Sequence, residues 1–175
     1  MFYLGDLIMK NIDIKNIDIN NIDVEALKAK IARKYCIDPT GPDFERVDTA
    51  EGHPVYICDK LKHSGGAACI WDPYNGYTIA VSREVYEDKS TYFAFLYHEL
   101  GHINNGDCIR TTVAAILGGR YRGTLEEEIK ADAYAKAHGY GPALKAGLLH
   151  IANTNKLNEE QLETINARIA ALDAE

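Results

Sequence analysis

The sequence predicts an α+β domain, because short strand-like runs occupy its first half and longer runs with helical periodicity occupy its second half. Of its 175 residues, 46% are hydrophobic and 26% are charged, as in one ordinary globular domain. A chain of this size buries about 70% of its unfolded surface, so its core needs no disulfides. We expect a single domain over residues 23–175, since no linker interrupts it, and an N-terminal extension over residues 1–22.

The N-terminal extension contains a five-residue repeat. Asn-Ile-Asp recurs at Asn11, Asn16 and Asn21. Three copies of this size are too small to stack as a solenoid, so the alternating residues favour an extended tail or a peripheral strand. A helix is expected next, from about Val24 to Tyr35, with Asp23 as its N-cap.

Three short runs between residues 55 and 82 are typical of β-strands. They are Val55–Cys58, Ala67–Trp71 and Tyr77–Ser82, and the last of them alternates in the manner of a half-buried strand. Residues 64–66 and 72–76 are rich in glycine and other turn formers, so they supply the connections. We expect these strands to form a small antiparallel sheet.

Four helices are expected after the sheet, because the apolar spacing lengthens to three and four residues. The first begins near Thr91 and ends before Gly106. Its predicted core positions are Phe93, Leu96, Leu100 and Ile103.

The remaining three helices carry signals at their first turns. Thr124 and Glu127 form a capping box, and the helix that they open stops at His138–Gly139. The next helix begins with Pro142, whose fixed backbone suits a first turn, and Asn158 caps the last. The second half of the chain is therefore expected to be helical.

Charge and composition exclude several functional classes. The net charge of −7 works against binding to nucleic acid or to anionic membranes. No stretch approaches the roughly 18 apolar residues of a membrane span, and the first residues lack the pattern of a secretory signal, so we expect a cytoplasmic protein. The cysteines have no CxxC spacing and are expected to be reduced thiols, mostly in the core. They are Cys36, Cys58, Cys69 and Cys108.

The first predicted helix carries the motif that indicates chemistry, the HExxH sequence from His98 to His102. Residues four apart lie one helical turn apart on the same face, so both imidazoles can bind one metal ion. Glu99 lies beside them and can act on a water molecule without being a ligand. The motif therefore predicts a catalytic metal site whose third ligand must come from elsewhere in the chain.

The helix that begins at the Thr124 cap offers that third ligand. Glu128 and Asp132 are four residues apart, so both can face a neighbouring helix, and the alanines around them allow a close approach. We assign Glu128 as the ligand and expect Asp132 to accept a hydrogen bond from His98 or His102. The alternative HExxHxxGxxH pattern fails, because Asn105 and Cys108 stand where its glycine and third histidine would be.

These segments resemble the zincin metallopeptidases of gluzincin type. HELGHINNGD over residues 98–107, followed by Glu128-Ile-Lys-Ala-Asp132-Ala, is similar to the M48 group. The arrangement with a small sheet before the motif is also similar to the ImmA/IrrE regulatory peptidases. The resemblance covers about residues 77–136. It implies a minimal zincin-like domain: a small antiparallel sheet on an HExxH helix and a Glu-bearing helix, with further C-terminal helices.

The resemblance also implies roles for the matching residues. One Zn²⁺ per chain would be bound by His98, His102 and Glu128, with Glu99 as the general base and acid and Asp132 orienting a ligand. The implied reaction is hydrolysis of a peptide bond in a protein or peptide substrate, and the strand Tyr77–Ser82 would border the cleft. Several residues are candidates to stabilise the oxyanion, and the sequence does not choose among them: Tyr121, Tyr134, His138, Tyr140 and His150.

Two other functions remain open at this point. The first is a zinc-binding pseudo-peptidase, or a regulatory protein of the ImmA/IrrE kind, that captures or cleaves one dedicated partner. The second is a purely structural zinc ion, for which four protein ligands are expected.

Overall fold

A computed structural model describes residues 43–63, 66–72, 75–116 and 123–174. The predicted N-terminal extension, the helix expected at residues 24–35 and Tyr121 lie outside these ranges. The domain boundary between residues 22 and 23 therefore stays a prediction. None of the helices in the described ranges combines the length and hydropathy that a membrane span requires.

The described strands form one four-stranded sheet. They are β1 (Phe44–Ala50), β2 (His53–Cys58), β3 (Ala67–Asp72) and β4 (Gly76–Val81), in the spatial order β1-β2-β4-β3. The pairs β1–β2 and β3–β4 are antiparallel, whereas β2 and β4 are parallel. The expectation of an antiparallel sheet is thus wrong for the central pair. Because β3 takes the outer position, β4 returns beside β2 in the same direction.

Strand β1 was not predicted from the sequence, because most of its side chains are exposed and polar. It forms because a tight turn folds it onto β2. Glu51 and Gly52 have φ values of 49° and 84°, and a two-residue hairpin turn of type I′ requires positive φ at both positions.

Six α-helices follow β4 in the described residues, and the α+β class is confirmed. All four expected helices are present, and the capping boxes at Thr124 and Asn158 are confirmed. Asp107 begins an additional helix, separated from the preceding one by Gly106, which has a left-handed φ of 75°. The helices are α1 (Arg83–Glu87), α2 (Lys89–Asn105), α3 (Asp107–Ile116), α4 (Leu125–Ala137), α5 (Gly141–Thr154) and α6 (Glu159–Asp173).

Helix α2 lies between the sheet and the C-terminal helices. Its Leu96 and Leu100 pack with sheet residues such as Ile79, while Ala94 packs with Leu144 and Leu148 of α5. The prediction that Phe93 is a core residue is wrong: its side chain is 38% exposed and stacks on Tyr140. The neighbouring Ala94 occupies the buried position instead, and its small size lets the C-terminal helices approach α2.

The cysteines differ from the prediction of four reduced thiols. Cys69 on β3 and Cys108 on α3 form a disulfide across 39 positions of sequence, with their Cα atoms 6.2 Å apart. Cys58 is a buried free thiol as expected, and Cys36 lies outside the described residues. The spacing of Cys69 and Cys108 carries no local signal, because only the packing of α3 against β3 brings them together.

Helices α2 and α4 approach each other closely at Gly101. A Cβ atom there would lie 2.8 Å from the Cα and 2.9 Å from the carbonyl oxygen of Ala131. Real Cβ atoms do not tolerate such distances to a backbone, so the glycine allows the two helices to touch.

We expect Gly101→Ala to lower the free energy of unfolding by about 2 kcal/mol. Alanine favours a helix by about 1 kcal/mol over glycine, but overpacking against a backbone costs up to about 3 kcal/mol. Urea unfolding measures the difference, and Asn104→Ala, at an exposed position of the same helix, is the control. A Gly101→Ala protein as stable as the wild type would contradict this packing argument.

Candidate metal centre

Three candidate ligands meet where α2 faces α4. The Nε2 atoms of His98 and His102 are 3.1 Å apart. The Glu128 carboxylate lies 3.5 Å from Nε2 of His98 and 3.6 Å from Nε2 of His102. In the described residues this is the one group of three whose donor atoms all lie within 4.8 Å of one another.

These spacings fit a tetrahedral zinc ion. Zinc binds imidazole nitrogen at about 2.0–2.1 Å, so two ligand atoms at a tetrahedral angle lie about 3.4 Å apart. The three observed distances scatter closely around that value. Two imidazoles and a carboxylate are also the ligand set of a common class of catalytic zinc sites, which leaves a fourth position for water or substrate.

A carboxylate contacts the outer nitrogen of each histidine. Nδ1 of His98 lies 2.8 Å from Oδ1 of Asp132, and Nδ1 of His102 lies 3.1 Å from Oδ2 of Asp107. Each aspartate can accept the Nδ1–H proton, which leaves the Nε2 lone pair directed at the ligand cluster. Of the two histidines, Asp132 contacts His98.

The contact between Asp107 and His102 was missed by the sequence interpretation. Asp107 begins α3 and is only 7% exposed. The break at Gly106 turns the chain, so that this residue returns toward His102. The available signal was Asp107 itself, an aspartate that follows the HExxH motif by five residues.

The sequence interpretation also missed Arg168 on α6. Its guanidinium donates to both oxygens of Asp132, at 2.8 and 2.7 Å, and its third nitrogen lies 2.8 Å from Oε2 of Glu128. A signal was present, because Arg168 lies three residues after Ile165 and four before Leu172, which are both buried. A charged residue on the apolar stripe of a helix indicates a buried partner.

We expect Arg168→Lys to lower the free energy of unfolding by about 2 kcal/mol and zinc affinity by about tenfold. A lysine keeps the charge but cannot reproduce the planar fork that holds two carboxylates at once. Chemical denaturation and chelator competition measure the two effects. Arg46→Lys, at an exposed arginine that bonds Thr49, is the control, and equal effects of the two substitutions would refute the assigned role.

The electrostatics of the cluster keep its acids ionised. Burial lowers the pKa of His98, but hydrogen bonds to Asp132 and Glu128 outweigh burial and raise it to about 9. Burial raises the pKa of Glu128, but the His98 hydrogen bond and the charges of His98 and Arg168 bring it down to about 2. Burial likewise raises the pKa of Asp132, and Arg168 and His98 reverse the shift. A metal ion must therefore displace a proton from His98.

Glu99 is buried beside this cluster and is 6% exposed. Its carboxylate is among the smaller causes that raise the pKa of His98 and of Arg168. It does not belong to the group of three ligand atoms. Its position thus agrees with a charged group beside the site that is not itself a ligand.

The candidates for oxyanion stabilisation occupy different positions. The Tyr134 hydroxyl donates to Glu51, and Tyr134 packs against His138. Tyr140 stacks on Tyr97, and His150 is exposed on α5. No contact places one of these four against the ligand cluster, so the role stays unassigned.

The strand that was expected to border the cleft, Tyr77–Ser82, lies in the interior of the sheet. Tyr77–Val81 belongs to β4, which is paired on both sides, by β2 and by β3. Among the described strands, β1 and β3 lie at the two edges of the sheet, and β3 contacts both α2 and α3. The outer edge of β3 is not paired with any described strand, whereas β4 has no free edge.

The chain was compared with known proteins by sequence and by fold. No family model matches the chain, and no curated protein matches it. Its fold is similar to the crystal structure of S. mikatae Ste24p, with a TM-score of 0.52 and 18% sequence identity. The likeness covers 86% of this chain and 56% of the Ste24p chain, so this chain spans little more than half of that protein. At this identity the comparison shows a likeness in fold alone.

Proposed function

We propose that this protein is a zinc-dependent peptidase. The observation that carries the proposal is the meeting of His98, His102 and Glu128 at tetrahedral spacing. The likeness in fold to Ste24p, a zinc metallopeptidase, supports it. The described residues supply three ligands rather than the four of a structural zinc site, which also favours catalysis.

The chain's own residues account for the proton transfers of peptide hydrolysis. Zinc, when bound by the three ligands, supplies an acidified water molecule and polarises the substrate carbonyl. Glu99 accepts the proton of the attacking water and delivers it to the departing amine. Asp132 and Asp107 hold the histidines by Nδ1, so that neither imidazole rotates during the reaction.

Substrate binding is assigned to the edge of the sheet. An extended peptide can add to an edge strand through main-chain hydrogen bonds, and β3 is the edge strand that contacts the HExxH helix. This mode selects for unfolded segments of a protein or for peptides, because a folded chain cannot present a free strand. The net charge of −7 argues against nucleic acid as a substrate.

The experiment compares three states of the purified protein: zinc-loaded, stripped with a chelator, and reloaded. Each is incubated with a proteome-derived peptide pool, and new termini are identified by mass spectrometry. We expect about one zinc per chain and cleavage that disappears on stripping and returns on reloading. Bound zinc without new termini would favour the binding-protein alternative, and the absence of zinc binding would refute the metal centre.

A further inference from the structure

The first turn of α3 is linked by side-chain contacts to three different elements. Asp107 contacts His102 of α2 at 3.1 Å, and Cys108 forms the disulfide with Cys69 of β3. In the same turn, Arg110 donates to Glu127 of α4 at 2.6 Å. This turn, residues 107–110, thus links the metal centre to the sheet and to the helix that carries Glu128.

The position of Asp107 depends on these links. Gly106 ends α2 in a left-handed conformation, so α2 does not continue into α3 and does not fix its direction. The side chain of Arg110 is 57% exposed, and its ion pair with Glu127 is therefore screened by solvent. The disulfide is covalent and leaves Cys108 only 4% exposed. Two of these links do not involve Asp107 itself: the disulfide and the ion pair of Arg110 with Glu127. The disulfide is the stronger of the two.

We propose that the Cys69–Cys108 disulfide is a redox-controlled clamp that holds Asp107 against His102, so that its reduction weakens zinc binding. The inference rests on the zinc site proposed above. An external dithiol would supply two electrons and two protons: the S–S bond breaks, two thiols form, and the dithiol becomes a disulfide. Cys69 is only partly buried, on the edge strand β3.

The loss of the clamp acts on zinc through the outer nitrogen of His102. Without the disulfide, the turn loses its covalent link to β3 and is held by non-covalent contacts, among them the solvent-screened ion pair of Arg110 with Glu127. Asp107 then leaves Nδ1 more often, and the imidazole loses the hydrogen bond that sets its tautomer and ring orientation. Removing such a partner typically lowers metal affinity by about 10- to 100-fold.

The test measures the zinc dissociation constant of the full chain by competition with a chromophoric chelator. The oxidised protein is compared with protein that was reduced by a dithiol and freed of it by anaerobic gel filtration, and with Cys69→Ser. We expect zinc to bind about 10- to 100-fold more weakly in both of the latter. Cys58→Ser, which alters a thiol outside the disulfide, is the control, and melting curves verify that each protein is folded.

Asp107→Asn separates the clamp from a general effect on stability. If the disulfide acts through Asp107, this substitution lowers zinc affinity in the oxidised protein, and reduction then adds less than about threefold. Full additivity of the two changes would overturn the proposal. So would equal zinc affinity of oxidised and reduced wild type, or four titratable thiols instead of two in the oxidised protein. Zinc binding by neither state would refute the metal centre as well, which distinguishes the two failures.

Discussion

Glu99→Gln is expected to lower the rate of peptide cleavage by about 10²- to 10⁴-fold, the usual contribution of a general base. Glutamine keeps the size of the buried side chain but cannot accept a proton from water. Because Glu99 is not one of the three converging ligands, the variant should still bind about one zinc per chain. The measurements are the rate of formation of new peptide termini and the zinc content of the same preparation.

The control for this substitution is Glu163→Gln, which makes the same chemical change at an exposed position of α6. It should leave both cleavage and zinc content unchanged. A melting curve like that of the wild type would exclude unfolding as the cause of inactivity. We expect such a curve for Glu99→Gln, since removing a buried charge need not destabilise the domain. Cleavage by Glu99→Gln at the wild-type rate would refute the general-base role.

The features that could be predicted from the sequence are those that depend on residues close together in the chain. Capping boxes at Thr124 and Asn158 involve residues three apart, so their helices were recognisable without knowledge of the fold. The His98 and His102 pair is likewise local, since helical periodicity alone places the two rings one turn apart. Glu128 could be predicted as a candidate ligand because it shares a helix face with Asp132.

The parts that escaped prediction depend on how distant elements pack. Arg168 lies 36 positions after Asp132, and only the docking of α6 brings its guanidinium to that carboxylate. The disulfide and the parallel pairing of β2 with β4 likewise depend on the packing of elements that are distant in sequence. The contact of Asp107 with His102 spans five residues, but it requires the left-handed turn at Gly106. A glycine in that place predicts a helix end without giving the direction of the chain beyond it.

Glu128→Gln is expected to weaken zinc binding by more than about 100-fold and to abolish cleavage at ordinary zinc concentrations. The change removes the anionic ligand, so its effect should exceed the 10- to 100-fold loss typical of residues that only orient ligands. Chelator competition and the peptide assay measure the two losses. Glu126→Gln, two positions earlier on the same helix and with a side chain 77% exposed, is the matched control. Unchanged zinc affinity in Glu128→Gln would exclude this residue as a ligand.

The same substitution has a pH-dependent effect on the metal-free protein. Burial opposes ionisation of Glu128, but His98 and Arg168 lower its pKa from 4.5 to about 2. A carboxyl group with a depressed pKa stabilises the folded state above its unfolded pKa and loses that contribution as the pH falls to the folded value. The stability of the wild type relative to Glu128→Gln should therefore be greatest between about pH 5 and 6.5 and decline between pH 4.5 and 2, while above pH 6.5 it also declines as His98, whose pKa Glu128 helps to raise to about 9, loses its proton. Urea unfolding of both proteins across this range tests the sign, and a difference that grows on acidification below pH 4.5 would contradict the ion pairing of Glu128 with His98 and Arg168.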